Sequence, residues 1–123
     1  MPNYNAQNPP YAIFPGDAVN PFNAESPAPP QASQQYALPH FTGDHADQSR
    51  SVSWQTSYAT TPTSVTVQLQ ASDVDADANY ATVDSSTNTA GERKTTAGVR
   101  ARFVRWKLNA QTGGGAITIT AGV

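Results

Sequence analysis

The chain has no cysteine, so neither a disulfide framework nor thiol chemistry is open to it. No apolar run approaches the roughly 20 residues that a membrane-spanning helix needs. The N-terminus has neither the basic nor the apolar stretch of a signal peptide. Lys and Arg are absent from residues 1–49, which carry Asp17, Glu25, Asp44 and Asp47. The sequence is equally poor in catalytic signals. It has no G-x-S-x-G, no His set in a Ser/Asp pattern, and its carboxylates cluster in turns. A glycosidase would need two acids facing each other across a groove. A fold could bring Asp73 and Glu92 together, but any β-sandwich has such pairs. These absences point away from an enzyme, a membrane protein and a cofactor-dependent protein.

What is present divides the chain in two. Nine of the ten prolines lie at or before Pro39, and all seven basic residues lie from Arg50 onward. Residues 1–49 therefore read as an acidic, proline-rich N-terminal arm, and residues 50–123 as a mildly basic domain rich in Thr, Val and Ala. The arm contains "NPPYAIFPGDAVNPFNAESPAPP" (residues 8–30). Proline removes backbone donors, so this segment is no helix and can be a strand only at an edge. Yet it carries Tyr11, Ile13, Phe14, Val19 and Phe22, more apolar bulk than a disordered tail usually has. These five residues are the expected partner-binding anchors of an extended arm.

From Arg50 the periodicity is two, the signature of half-buried strands. "SVSWQTSY" sets Val52, Trp54, Thr56 and Tyr58 against Ser51, Ser53, Gln55 and Ser57. "SVTVQLQA" sets Val65, Val67, Leu69 and Ala71 inward. "YATVDS" (residues 80–85) is a short strand, and "STNTAGERKTTAG" reads as a polar connection. "VRARFVRWKL" (residues 99–108) changes parity between Phe103 and Val104, which requires either a bulge there or two covered faces. "NAQTGGG" (residues 109–115) reads as a loop whose three glycines permit positive φ, and "AITITAGV" after it puts Ile117 and Ile119 inward. A further strand is expected within Tyr36–Phe41. This pattern of short strands separated by Gly, Pro, Asn and Asp predicts an all-β fold: an antiparallel β-sandwich or jelly roll carrying the extended arm. A body of about 74 residues is only marginally stable alone, which favours oligomerisation.

Four clusters carry possible chemistry. Arg93, Lys94, Arg100, Arg102, Arg105 and Lys107 crowd one stretch. A nucleic-acid binder would usually be basic overall, and this chain has a net charge of −2. Arg100, Arg102, Arg105 and Lys107 are thus better read as interface charge for an acidic partner such as the arm. "DVDADA" offers Asp73, Asp75 and Asp77 at the alternate spacing of a calcium loop, with Asp84 in the position of the twelfth ligand. Ala78 stands where such a loop needs glycine, so a solvated turn is the preferred reading. His40, Asp44, His45 and Asp47 hold two imidazoles and two carboxylates at a spacing that suits neither a helix face nor a strand face; a loop joint is preferred over a metal site. Trp54, Tyr58, Tyr80 and Trp106 could stack on sugars if exposed, but their inward parity favours the core.

Across Pro62–Val123, "PTSVTVQLQASDVDADANYATVDSST" and "GVRARFVRWKLNAQTGGGAITITAGV" resemble small β-sandwich modules in virion proteins of tailed bacteriophages, of the discoidin-like or jelly-roll kind. The resemblance implies a structural protein of the virion, assembled in the host cytoplasm. The expected role is a head decoration or cement protein, a homotrimer bound to the major capsid protein, without nucleic acid or cofactor. In this reading the arm staples neighbouring subunits. The alternatives are a neck, tail or fibre component, or a module that binds glycans on a host surface.

Overall fold

A computed structural model describes residues 12–14, 16–38, 50–74 and 76–123. Tyr11, Asp75 and the His40, Asp44, His45 and Asp47 cluster lie outside the described residues. Among the described residues there are nine strands: β1 (Ala18–Glu25), β2 (Gln31–Ala32), β3 (Tyr36–Ala37), β4 (Arg50–Tyr58), β5 (Ser64–Ser72), β6 (Ala81–Ser86), β7 (Arg93–Val99), β8 (Phe103–Thr112) and β9 (Ile117–Gly122). One 3-10 turn spans Asp77–Asn79.

Alternation decides which side of each strand is buried. Val52, Trp54 and Thr56 of β4 point inward, as do Val65, Val67 and Leu69 of β5 and Ile117, Ile119 and Ala121 of β9. Two sheets pack these faces together. One has the order β1-β9-β4-β7, and the other β2-β8-β5-β6, with β3 following β2 along the same edge of β8. Every strand pairing is antiparallel. Folded in half at the turn after β5, the chain pairs outward as β5 with β6, β4 with β7, β2 and β3 with β8, and β1 with β9. The pairs alternate between the sheets. This wrapped hairpin is the jelly-roll topology, so the expected all-β sandwich is the observed fold.

The expected boundary near residue 49 is corrected. β1 zips onto β9, from Ala18 opposite Gly122 to Glu25 opposite Ile117, while β2 and β3 zip onto β8. Pro21 is tolerated because β1 is an edge strand, where a missing N–H breaks no ladder on its outer side. Ile13, Phe22, Tyr36 and Leu38 are buried in the same cluster as Trp54 and Trp106. The described residues of 12–38 thus add edge strands to both sheets, and their apolar side chains enlarge a core that residues 50–123 alone would leave small.

Two strand assignments also change. The supposed polar connection contains β7, whose register against β4 runs from Arg50 opposite Val99 to Gln55 opposite Arg93. The stretch 99–108 is not one strand. β7 ends at Val99, and β8 begins at Phe103 and runs on to Thr112, so the first four residues of the loop expected at 109–115 are strand. Its parity change needs no bulge near Phe103, because β8 is buried on both faces from Phe103 to Trp106. The one irregularity in its pairing with β5 lies further along, between Thr66 and Val67.

Glycine is required at Gly91, in the β6–β7 connection. Its φ is 80°, and a Cβ there would stand 2.6 Å from the Thr56 carbonyl oxygen. Among the described residues no helix is long and apolar enough to cross a membrane.

Candidate functional site

The five arm anchors divide. Ile13 and Phe22 are fully buried in the protein's own core, and Val19 packs against it. Their expected role as anchors in a partner's pockets is therefore corrected: Phe22 stands opposite Ile119 in the β1–β9 ladder, inside the sandwich. Phe14 is different, with 54% of its surface exposed. It sits beside a turn in which Asp17 N–H bonds the Phe14 carbonyl and Gly16 N–H reaches the Val123 carbonyl. Val74 and Val83 are the other large exposed apolar residues among those described.

The basic cluster is not one surface either. Arg105, expected as interface charge, is 6% exposed. Its Nε donates to Gln70 Oε1 at 2.8 Å, and its Nη1 donates to Asp77 Oδ1 at 2.8 Å. Its guanidinium lies 4.3 Å from the centre of the Tyr80 ring. A buried guanidinium needs such partners, and here they tie the acidic turn down over the outer face of the β2-β8-β5-β6 sheet. This explains the second covered face of β8. Arg100 and Arg102 are exposed in the β7–β8 connection, Lys107 is half-buried on β8, and the Arg102 guanidinium stacks 5.3 Å from the Phe103 ring.

The same turn bears on the calcium candidate. Asp77 is held by Arg105, and Asp73 Oδ1 accepts the Arg102 backbone N–H at 3.1 Å. Asp84 faces elsewhere, toward Lys94. Among the described residues no three His, Asp or Glu side chains stand together as a metal site.

The most organised polar group is one that sequence reasoning missed. Where β6 of one sheet lies over β7 of the other, Asp84 accepts hydrogen bonds from Lys94 Nζ at 2.9 Å, Thr96 Oγ1 at 2.5 Å and its neighbour Ser85 N–H at 2.8 Å. Trp54 Nε1 donates to Thr96 Oγ1 at 3.0 Å, and Lys94 Nζ lies 5.9 Å over the Trp54 ring. Beside it, Ser86 Oγ donates to Glu92 Oε1 at 2.6 Å, while Glu92 and Thr56 exchange two further bonds. Partial burial pushes the Asp84 carboxyl up, but the Thr96 hydroxyl, the Lys94 ammonium and the Ser85 N–H outweigh it, and the net shift is downward. The signal in the sequence was Lys94-x-Thr96, two polar residues at strand spacing.

Trp54 and Trp106 are buried, and Tyr36 meets Trp106 edge to face at 6.1 Å. Neither indole is available to stack on a sugar. Two shallow clefts remain. One of about 350 Å³ lies between β1 and β2, and one of about 230 Å³ lies over the outer face of β4 and β9 beside Arg93. What the described geometry offers is surface: an exposed aromatic at Phe14, a stacked arginine at Arg102, and one cleft lined mainly by polar groups.

The chain matches no protein-family model and no curated protein. Among solved structures it is similar in fold to the crystal structure of SPBc2 prophage-derived protein YomS, at 17% sequence identity and a TM-score of 0.53. That likeness covers 85% of this chain and 90% of the other.

Proposed function

We propose that the protein is a structural component of a tailed-phage particle, and that it decorates the capsid shell as a cement protein. The observation that carries this reading is the two-way coverage of the fold likeness to a prophage-derived protein. The phage-like strand and turn motifs across Pro62–Val123 support it. The jelly roll is also an architecture of capsid proteins, a supporting argument by analogy of fold. The role is one of binding and stabilising, not catalysis. Its partners are the major capsid protein and further copies of itself, with a homotrimer as the assembly.

The manner of attachment differs from a long staple. Forty-nine extended residues would reach on the order of 150 Å, but with residues 12–38 built into the body, the eleven before them reach about 35 Å at most. The body then makes the main contact through its own surface, including Phe14 and the Arg102–Phe103 stack. A deletion through residue 35 would remove β1 and β2 and so report on folding. The clean test removes residues 1–11 only. Quantitative mass spectrometry of purified particles is expected to count hundreds of copies, and the 1–11 deletion is expected to keep at least part of its capsid affinity. Six or twelve copies would move the protein to the neck or tail, and absence from particles would overturn the reading.

A further inference from the structure

The cleft between β1 and β2 opens on the flank where the edge strands of the two sheets face each other. β1 does not run straight past it. Its register against β9 shifts between Val19 and Phe22 and again between Phe22 and Glu25. At the second shift Ala24 has a φ of 50°, a left-handed conformation uncommon for a residue with a Cβ. Such outliers persist only where their surroundings hold them, and here the Ala24 N–H donates to Thr118 Oγ1 at 3.1 Å. Bulges of this kind re-aim side chains at sheet edges.

Five polar side chains line the cleft: Asn20, Glu25, Gln31, Ser33 and Gln34. Ser33 is already engaged, its Oγ donating to the Gln34 carbonyl at 2.8 Å and accepting the Trp106 N–H at 3.0 Å. Each amide is tethered at one end. Asn20 Nδ2 donates to Thr120 Oγ1 at 3.0 Å, Gln31 Oε1 accepts from Ala28 N–H at 2.5 Å, and Gln34 Nε2 donates to Tyr36 Oη at 3.2 Å. The other ends, Asn20 Oδ1, Gln31 Nε2 and Gln34 Oε1, have no partner among the described residues, and neither does the Glu25 carboxylate. The arrangement thus holds two oriented carbonyl acceptors, one oriented amide donor and one carboxylate. Tethering lowers the ordering cost that a ligand must meet.

We propose that this cleft is a saccharide site, taking a hydroxyl-rich sugar ring. The chemistry of the unused groups selects it. Sugar hydroxyls donate to Asn20 Oδ1, Gln34 Oε1 and Glu25 and accept from Gln31 Nε2, whereas an ammonium has no acceptor to offer Gln31. An anion such as phosphate is disfavoured by Glu25, the one charged residue in the lining. The half-buried Pro21 ring supplies an apolar wall for the C–H face of a sugar, and the volume falls in the range of small-molecule sites. The site is independent of Trp54 and Trp106 and of where the protein sits in any particle.

The test is ¹⁵N–¹H NMR on the full chain with the methyl glycosides of glucose, galactose, N-acetylglucosamine and rhamnose, and with Nα-acetyl-lysine amide as the cationic comparison. At least one glycoside is expected to shift the side-chain amide signals of Asn20, Gln31 and Gln34 saturably. Asn20→Ala and Gln34→Ala should each weaken that binding about tenfold, the effect of one lost hydrogen bond, with the unfolding midpoint retained. Glu25→Gln keeps an acceptor and should weaken a sugar only slightly. Loss of all binding in Glu25→Gln, tighter binding of the lysine amide at the same signals, or no saturable shift with any glycoside would each overturn the proposal.

Discussion

At the β6/β7 flank the two sheets meet through charge and hydroxyls; at the β1/β2 flank they meet through large apolar side chains. The first flank puts Asp84 and Ser86 against Lys94, Thr96 and Glu92, so polar side chains hold the interior edge and each has a partner. The second brings Ile13, Phe22, Tyr36 and Leu38 into the common core. Partnered polar groups demand close, specific geometry, and that flank is closed. Apolar contact is non-directional, so the other flank can bulge, hold a left-handed Ala24 and still leave a cleft. Stability at the first flank depends on ionisation, whereas at the second it does not.

Substitutions separate the two. Phe22→Ala should have the largest effect, about 3–5 kcal/mol, as for other buried phenylalanines. Urea unfolding should show it unchanged in size between pH 7 and pH 4. Were Phe22 only an arm anchor for a partner, the loss in the isolated chain would be negligible. Asp84→Asn should cost less, about 1–2 kcal/mol, because Lys94 and Thr96 lose a charged acceptor. Its pH dependence is the sharper observable. The folded carboxyl titrates below its unfolded value, so its contribution is complete above the ordinary carboxylate range. That contribution fades as pH falls through the depressed folded value. The wild-type protein should therefore lose stability in acid more steeply than the Asn variant, and equal slopes would show that the Asp84 cluster contributes nothing. Lys94→Met should be mildest, below about 1 kcal/mol, since the pair is partly hydrated and the stem still covers Trp54.

The sequence carried the central strands plainly and the edge strands poorly, for one physical reason. β4, β9 and β5 as far as Gln68 have one face in the core and the other at least partly in water, so alternation marks them. β7 has Lys94 and Thr96 on its inner side, satisfied by an aspartate that arrives from the other sheet, and no local pattern announces that partner. β1 carries Pro21 and two bulges, so its side chains follow no strict period. Its apolar residues were legible as anchors, but whether Phe22 anchors in a partner or in the protein's own core depends on a ladder to Ile119 from the opposite end of the chain. The buried state of Arg105 was hidden in the same way, because Asp77 and Tyr80 reach it only when the acidic turn folds back. The cleft amides were the least legible, being contributed by β1 and β2, which lie in different sheets, and by the link from β2 to β3.

The nested pairing has a kinetic consequence. Ala18 opposite Gly122 looks like a contact of very high entropic cost, since closing a long loop is slow. Yet once β5 and β6 close across the acidic turn, β4 and β7 are joined by a short residual loop, and the same holds for each pair outside them. A span of nearly the whole chain is thus crossed in short steps, with the turn at residues 73–80 as the first. Leu69→Ala, beside that turn, should slow refolding, whereas Ile119→Val, in the outermost pair, should mainly speed unfolding. Stopped-flow chevrons showing the reverse would place the start of folding at the termini.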